Sequence, residues 1–175
     1  MYESLVKLQR LISPLGQLEV THNAYSWVAT FEWHLPATHT AISQVLDKLG
    51  KPLPIDYIKF IEQISNGGLL FYNSENGQYG FNIFSIDDLI SKQEKWKRNL
   101  SNKWNDQFIV FSELYGEEDI LIFDLNAPSK DLQSYAILEA NPYDNYEEYP
   151  RVSRSFHEWL DHLITAQGTK YWEWF

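Results

Sequence analysis

Apolar residues recur with helical spacing in five stretches of the chain. The stretches are residues 2–12, 38–50, 54–66, 85–98 and 155–164. Each has apolar side chains at positions such as i, i+3, i+4 and i+7, which is typical of a helix with one buried face. Ser85 and Ser155 are each followed three residues later by an acid, as in a capping box, and Gly50 suits a helix C-terminus. The pattern therefore predicts five helices.

Period-two alternation and β-branched or aromatic runs fill most of the remaining chain. Candidate strands lie in residues 17–34, with a turn at Asn23 and Ala24, and in residues 69–72, 78–84, 108–114, 120–125 and 135–140. The last three follow one another without intervening helices, which favours an antiparallel meander. Residues 141–150 are expected to form a loop. The predicted fold is α+β, a single domain with a mainly antiparallel sheet and helices packed around it.

Aromatic residues are unusually frequent for a chain of 175 residues, which contains seven Trp, eleven Tyr and ten Phe. Such a number fits either an aromatic-rich core or rings at the surface that anchor a partner. The tail at residues 171–175 is so aromatic that we expect it to dock on the domain or to contact another chain. The absence of Cys excludes disulfides, zinc-thiolate sites and a thiol nucleophile.

The formal net charge of −10 bears on partners and location. An acidic chain is opposed to direct binding of nucleic acid, which depends on Lys and Arg, and favours a basic partner. The first residues lack a basic segment followed by an apolar one, and no stretch approaches about 18 consecutive apolar residues. We expect a cytoplasmic protein that does not bind membranes.

Catalytic and cofactor motifs do not emerge from the sequence. The glycines form neither a dinucleotide fingerprint nor a phosphate-binding loop, and no Ser lies in a Gly-x-Ser-x-Gly elbow. His157 and His162 are five residues apart, as are His34 and His39, whereas two ligands on one helix face need a spacing of three or four. The expectation is a protein without catalytic residues, metal or cofactor.

Acidic residues are concentrated in one part of the chain. Residues 113–148 contain ten of them against Lys130 alone, a net charge of −9, and tyrosines are interleaved with the charges. An exposed surface of this kind suits a protein partner, and a solvated acidic face is an equally good interpretation. A glycosidase pair is less favoured, because the sequence shows neither opposed carboxylates nor a raised pKa on one of them. A calcium loop is less favoured still, because residues 144–148 lack the alternating ligand order and the central Gly of an EF-hand. The candidate partner-binding residues are Tyr115, Glu117, Glu118, Asp119, Tyr143, Asp144, Tyr146, Glu147, Glu148 and Tyr149.

The order of motifs resembles the SUKH superfamily. The resemblance is carried by LGKPLPIDY at residues 49–57, SNGG at 65–68, FSIDDL at 84–89, IFDL at 122–125 and SFHEWL at 155–160. It covers about residues 36–164. The usual Gly-Asp before the central strand is replaced by Glu118-Asp119, and residues 1–35 form an extension outside the common pattern. We therefore divide the chain into an N-terminal helix and hairpin extension, 1–35, packed on a SUKH-like domain, 36–175.

The resemblance implies a non-enzymatic protein-binding domain. Members include bacterial immunity proteins that neutralise cognate toxins, often nucleases, and fungal regulators of cell-wall synthesis. Because toxins that grip nucleic acid tend to be basic, an acidic cytoplasmic immunity protein with a basic toxin domain as its partner is the leading hypothesis. A constitutive scaffold or regulatory module is the alternative. A carbohydrate-binding or hydrolysing domain, with Trp27, Trp33, Trp172 or Trp174 as sugar platforms, is a third class.

Overall fold

The computed structural model describes residues 2–22, 25–126 and 135–174. Within these residues lie five α-helices and eight β-strands. The helices are α1 (Glu3–Leu11), α2 (His39–Leu49), α3 (Ile55–Gln63), α4 (Ile86–Leu100) and α5 (Phe156–Thr165). The strands are β1 (Gln17–His22), β2 (Tyr25–Trp33), β3 (Gly68–Asn73), β4 (Phe81–Ile83), β5 (Phe108–Leu114), β6 (Ile120–Asp124), β7 (Ala136–Ala140) and β8 (Arg151–Ser153).

The strands form one sheet in which each strand pairs antiparallel with its neighbour in the sequence, from β1 through to β8. Consecutive connections therefore alternate between the two ends of the sheet. Residues 74–80, 115–119 and the start of 141–150 lie at the same end, because β3, β5 and β7 all finish there. We call this end the turn end of the sheet.

Helices α3 and α5 cover one face of the central strands with aromatic side chains. Tyr57 and Phe156 lie with ring centroids 5.1 Å apart, and Phe111 and Phe123 stack at 4.1 Å. Trp159 packs edge-on against Phe111 at 5.4 Å. All five side chains are buried, so many of the aromatic residues form the core.

The N-terminal extension adds to both the sheet and the helical layer. Its second strand pairs with β3, so that the hairpin continues the sheet, although the register shifts between Thr30 and Glu32. Tyr2, just before α1, donates a hydrogen bond to the backbone oxygen of Asp56 at 2.7 Å, and its ring lies 4.8 Å from that of His157. The extension is thus packed on α3 and α5.

Helix α4 completes the hydrogen bonding of β5 where the short strand β4 ends. The buried side chain of Gln93 donates to the oxygen of Phe108 at 2.7 Å and accepts from the backbone nitrogen of Val110 at 2.9 Å. A polar side chain in the core is tolerated here because both of its polar atoms are paired with backbone groups. The contact fixes α4 alongside β5.

The fold agrees with the sequence analysis in class and element order. The α+β class, the antiparallel meander and the helix caps at Ser85 and Ser155 are confirmed. The expected loop at 141–150 contains a 3-10 turn at Tyr146–Glu148, and the short strand β8 follows it without having been predicted. The expected turn at Asn23 and Ala24 lies outside the described residues.

Candidate protein-binding surface

The connection between β5 and β6, residues 115–119, is the acidic turn. It carries three of the candidate carboxylates, from Glu117, Glu118 and Asp119. Its backbone is closed by a hydrogen bond from the Leu114 nitrogen to the Asp119 oxygen at 3.0 Å. Gly116 has a φ of +82°, and a β-carbon there would collide with the backbone of Gln78, so the turn requires glycine at this position.

Two of these carboxylates, which we call the inner pair, bind Lys170. The Lys170 ammonium pairs with Glu117, with Asp119 at 3.3 Å and with Glu139 at 2.6 Å. Glu173 completes the group at 3.6 Å. We call these four acids around one lysine the carboxylate cage. Because only 9% of the Lys170 side chain is exposed, its charge is held among the acids and largely out of solvent.

The cage holds more negative charge than one ammonium can balance. Burial alone would lower the pKa of Lys170, but hydrogen bonds and charge from Glu117 and Glu139 outweigh it and raise that pKa above its usual value. Burial, together with the nearby Asp119, nevertheless raises the pKa of Glu117 despite its ion pair. The pKa of Glu117 therefore rises mainly because its carboxylate is partly buried, and the neighbouring carboxylate of Asp119 adds to the rise.

Residues 167–174, which we call the C-terminal strap, bring Lys170 to the cage. Four hydrogen bonds fasten it to strands β1, β7 and β8 and to the connection between β3 and β4. The bonds are Thr21 nitrogen to Gln167 Oε1 at 2.9 Å, Tyr79 hydroxyl to Gly168 oxygen at 2.7 Å, Tyr171 hydroxyl to Val152 oxygen at 3.2 Å, and Trp172 Nε1 to Glu139 Oε2 at 2.7 Å. The expected docking of the aromatic tail thus applies to Trp172, whereas Trp174 is exposed.

A second ionic group lies beside the acidic turn, at Glu113 of β5. Its carboxylate accepts hydrogen bonds from Lys92 and Lys95, each at 2.7 Å, and from Trp96 Nε1 at 2.8 Å. Burial would raise the pKa of Glu113, but these three donors outweigh it and hold the pKa below its usual value. The lysines of α4 thereby neutralise an acid of the sheet.

A cleft of about 590 Å³ separates α4 from the acidic turn. It is lined by Lys95 and Trp96 of α4, by Tyr115 and Glu118 of the acidic turn, and by Pro142. Tyr115 is half-buried with its ring 4.8 Å from that of Tyr72, so it contributes a fixed aromatic edge. The cleft is open to solvent and can receive a side chain from another molecule.

Tyr143 and Glu118 join the loop after β7 to the acidic turn. The hydroxyl of Tyr143 donates to Glu118 Oε2 at 2.5 Å, and the ring remains 74% exposed. Lys103 holds the same loop by donating to the backbone oxygens of Pro142 and Tyr143 at 2.7 and 2.8 Å. Asp144, half-buried, accepts from the Asn141 amide at 2.7 Å and so stabilises the loop. Glu118 and Tyr143 form an outward-facing acidic and aromatic pair.

The other candidate residues lie away from that pair or inside the protein. Tyr146 donates to Asp124 at 2.9 Å, at the end of β6 opposite to the acidic turn. Glu147 and Glu148 are exposed in the 3-10 turn, where Glu148 also accepts from the Asn145 nitrogen at 2.7 Å. Tyr149 is buried. The structure therefore brings together Tyr115, Glu117, Glu118, Asp119 and Tyr143, and places the acids at 147 and 148 as a separate group.

Sequence reasoning did not identify Lys170, Glu139 or Trp172 as parts of this surface. Lys170 is more than 50 residues from the acidic turn, and only the docked strap brings the two together. The signal available was the aromatic tail, which was expected to dock without a predicted position. Trp172 is buried against Glu139, Trp27 packs 5.7 Å from Tyr79, and Trp33 stacks on Phe31 at 6.5 Å. These tryptophans therefore belong to the packing of the domain.

The architecture places the chain among α+β domains built on an antiparallel meander. Residues 36–162 match the model of the SMI1 / KNR4 family (SUKH-1), so the chain belongs to this family. This confirms the resemblance carried by the sequence motifs. The chain is also similar to the uncharacterized protein YnaB of Bacillus subtilis (strain 168), with 26% identity over 145 residues, which cover 83% of this chain and 88% of that protein.

The length and hydropathy of a helix decide whether it can span a membrane. Among the described residues, no helix combines the length and apolar character needed to span a bilayer.

Proposed function

We propose that this chain is a non-enzymatic, cytoplasmic immunity protein that neutralises a cognate toxin by binding it directly. Membership of the SMI1 / KNR4 family supports a role in protein interaction. The observation that carries the proposal is the outward-facing pair of Glu118 and Tyr143 beside an open cleft. A basic toxin domain is the partner whose charge complements this surface.

The chemistry of the exposed pair suits a cationic side chain. Glu118 supplies a carboxylate at the surface, and the ring of Tyr143 supplies contact area and an electron-rich face. Aromatic and arginine side chains are the residues that most often dominate the free energy of binding at protein interfaces. In the proposed complex, an Arg or Lys of the toxin enters the cleft and pairs with Glu118.

The partner is identified by a tagged pull-down from the native cell, with mass spectrometry and inspection of adjacent genes. We expect recovery of a toxin domain with nanomolar or tighter affinity, and protection of cells when the chain is co-expressed with that toxin. Recovery of cell-wall or signalling proteins instead would replace the proposal with the scaffold hypothesis. Failure to recover any tight partner would also overturn the immunity role.

The surface is then mapped with substitutions that spare the cage. Replacing Glu118 with Gln should slow association with the recovered partner about 3-fold to 10-fold at low salt and less at high salt. The double variant Glu147→Gln/Glu148→Gln tests the second exposed group by the same measurement. Glu94→Gln, an exposed acid on α4 near the other end of β5, is the matched control. If Glu118→Gln associates as fast as the control, the proposed docking position is wrong.

A further inference from the structure

The inner and outer carboxylates of the acidic turn have different surroundings. Glu117 and Asp119 bind Lys170, whereas Glu118 lies between them in the sequence and binds the exposed Tyr143. The orientation of Glu118 therefore depends on the turn keeping its two inner side chains in the cage. A group that holds the inner side chains also sets the direction of the outer one.

Lys170 is the cation that holds them. One carboxylate oxygen from each of Glu117, Asp119 and Glu139 lies within 4.8 Å of the others, a separation at which like charges repel strongly in a partly buried site. Lys170 is the ammonium placed among these oxygens. Without it, the turn would relieve the repulsion by swinging its acids into solvent.

The packing of the strap against β3 fixes where the ammonium of Lys170 lies. Gly168 has a φ of +87°, and a β-carbon there would lie 2.5 Å from the ring of Phe71. This close approach, together with the hydrogen bond from Tyr79, places the strap two residues before Lys170. The position of the ammonium is thus set by the packing of the strap on β3.

We propose that Lys170 is a positioning residue of the candidate binding surface, through which the C-terminal strap holds the acidic turn in its binding conformation. The proposal rests on the proposed function, since it assigns a role at the same surface. Lys170 does not contact the partner. It neutralises the inner acids, and the turn then presents Glu118 and Tyr143 in one arrangement to a cationic side chain.

The test compares Lys170→Met with Lys170→Arg in the full chain, and uses Lys51→Met as the matched control because Lys51 is a half-buried lysine that binds backbone oxygens at the opposite end of β5. Amide hydrogen exchange is measured at Leu114, which closes the turn, and at Ile58 in α3. Lys170→Met should lower protection of Leu114 about tenfold more than that of Ile58, whereas Lys170→Arg and Lys51→Met should affect both amides alike. Gly168→Ala retains the lysine but disturbs the packing of the strap on Phe71. It should therefore lower the protection of Leu114 in the same way as Lys170→Met.

Carboxyl titration by NMR gives a readout that loss of packing alone would not change. In Lys170→Met the pKa of Glu117 should rise by about one pH unit or more, and Lys170→Arg should prevent that rise. Equal loss of protection at Leu114 and Ile58, or an unchanged Glu117 titration, would overturn the positioning role. Neither measurement uses a partner, so either result leaves the immunity proposal standing, and failure to recover a toxin would not affect this test.

Discussion

Two ionic groups on neighbouring parts of the sheet have opposite balances of charge. At Glu113, two lysines and a tryptophan serve one carboxylate, whereas at Lys170 one lysine serves four acids. The pKa of Glu113 is lowered and that of Glu117 is raised, although both carboxylates are partly buried and both bind lysine. The group at Glu113 is saturated, meaning that donors fully pair its one carboxylate, and its role is structural. The second keeps an excess of negative charge, and for that reason we propose the acidic turn as the docking position.

Many acids of the segment at residues 113–148 are paired inside the protein. Glu113 is neutralised by α4, Asp124 is buried and accepts from Tyr146, and Glu117, Asp119 and Glu139 surround Lys170. Of the nine acids that the structure describes in the segment, four are exposed: Glu117, Glu118, Glu147 and Glu148. A charge count along the sequence therefore overstates the field that a partner meets, because folding pairs many of the charges internally.

The largest expected effect is that of Lys170→Met on stability. Removing the ammonium leaves the buried carboxylate of Glu139 without a counter-charge, and breaking such a buried pair costs about 3 kcal/mol or more. We expect the free energy of unfolding to fall by about that amount in urea titrations at neutral pH. Lys170→Arg, which retains the charge, should lose less than half as much. A loss no larger than that of the arginine variant would show that the cage is no more dependent on its cation than an exposed pair.

Glu113→Gln tests the saturated group in the same assay. The neutral amide accepts fewer and weaker hydrogen bonds from Lys92, Lys95 and Trp96, so the free energy of unfolding should fall by about 1–2 kcal/mol. Asp106→Asn, which removes the partner of Lys97 at a fully exposed position, is the control and should leave stability unchanged. If both variants were equally stable, the three donors around Glu113 would contribute nothing beyond a surface contact.

A divalent cation should replace the missing ammonium in Lys170→Ala. The truncation leaves space among carboxylate oxygens of Glu117, Asp119 and Glu139, and hard cations such as Ca²⁺ prefer oxygen ligands. At about 10 mM calcium and millimolar affinity, the linkage relation gives a stabilisation of about 1 kcal/mol. Wild type and Glu113→Gln should gain nothing beyond the effect of sodium chloride at matched ionic strength. Equal responses in all three proteins would show that the cage does not concentrate charge.

The difference between the two groups also explains how much of the molecule could be predicted from sequence. Helices and strands follow from local periodicity and caps, as at Ser85 and Ser155, so the order of the five helices and of strands β1 to β7 was predicted correctly, whereas the three-residue strand β8 was missed. The family was identified for the same reason, because its motifs are local. The partners of Glu113 and Glu117 lie 17 to 53 residues away, and no local pattern pairs them. Exposure of individual acids could not be derived without those distant contacts.

The smallest expected effect is that of Glu117→Gln at neutral pH, and its pH dependence should be opposite to that of Glu113→Gln. The pKa of Glu117 is higher in the folded state than its value of 4.5 in the unfolded chain, so the protonated carboxyl stabilises the fold below pH 4.5. This stability is lost as the pH rises through the pKa of the folded state. The pKa of Glu113 is lower in the folded state than in the unfolded chain, so the ionised carboxylate stabilises the fold above pH 4.5. This stability is lost as the pH falls through the pKa of the folded state. Since the Glu117 side chain is 40% exposed, solvent screening should keep the cost of Glu117→Gln below about 0.5 kcal/mol at pH 7.

Urea unfolding between pH 3 and pH 7 measures both effects. The loss of unfolding free energy in Glu113→Gln should grow with pH, while the loss in Glu117→Gln should shrink. Parallel profiles would mean that the two carboxylates have the same balance of charge, and the distinction between a saturated and an unsaturated group would be lost.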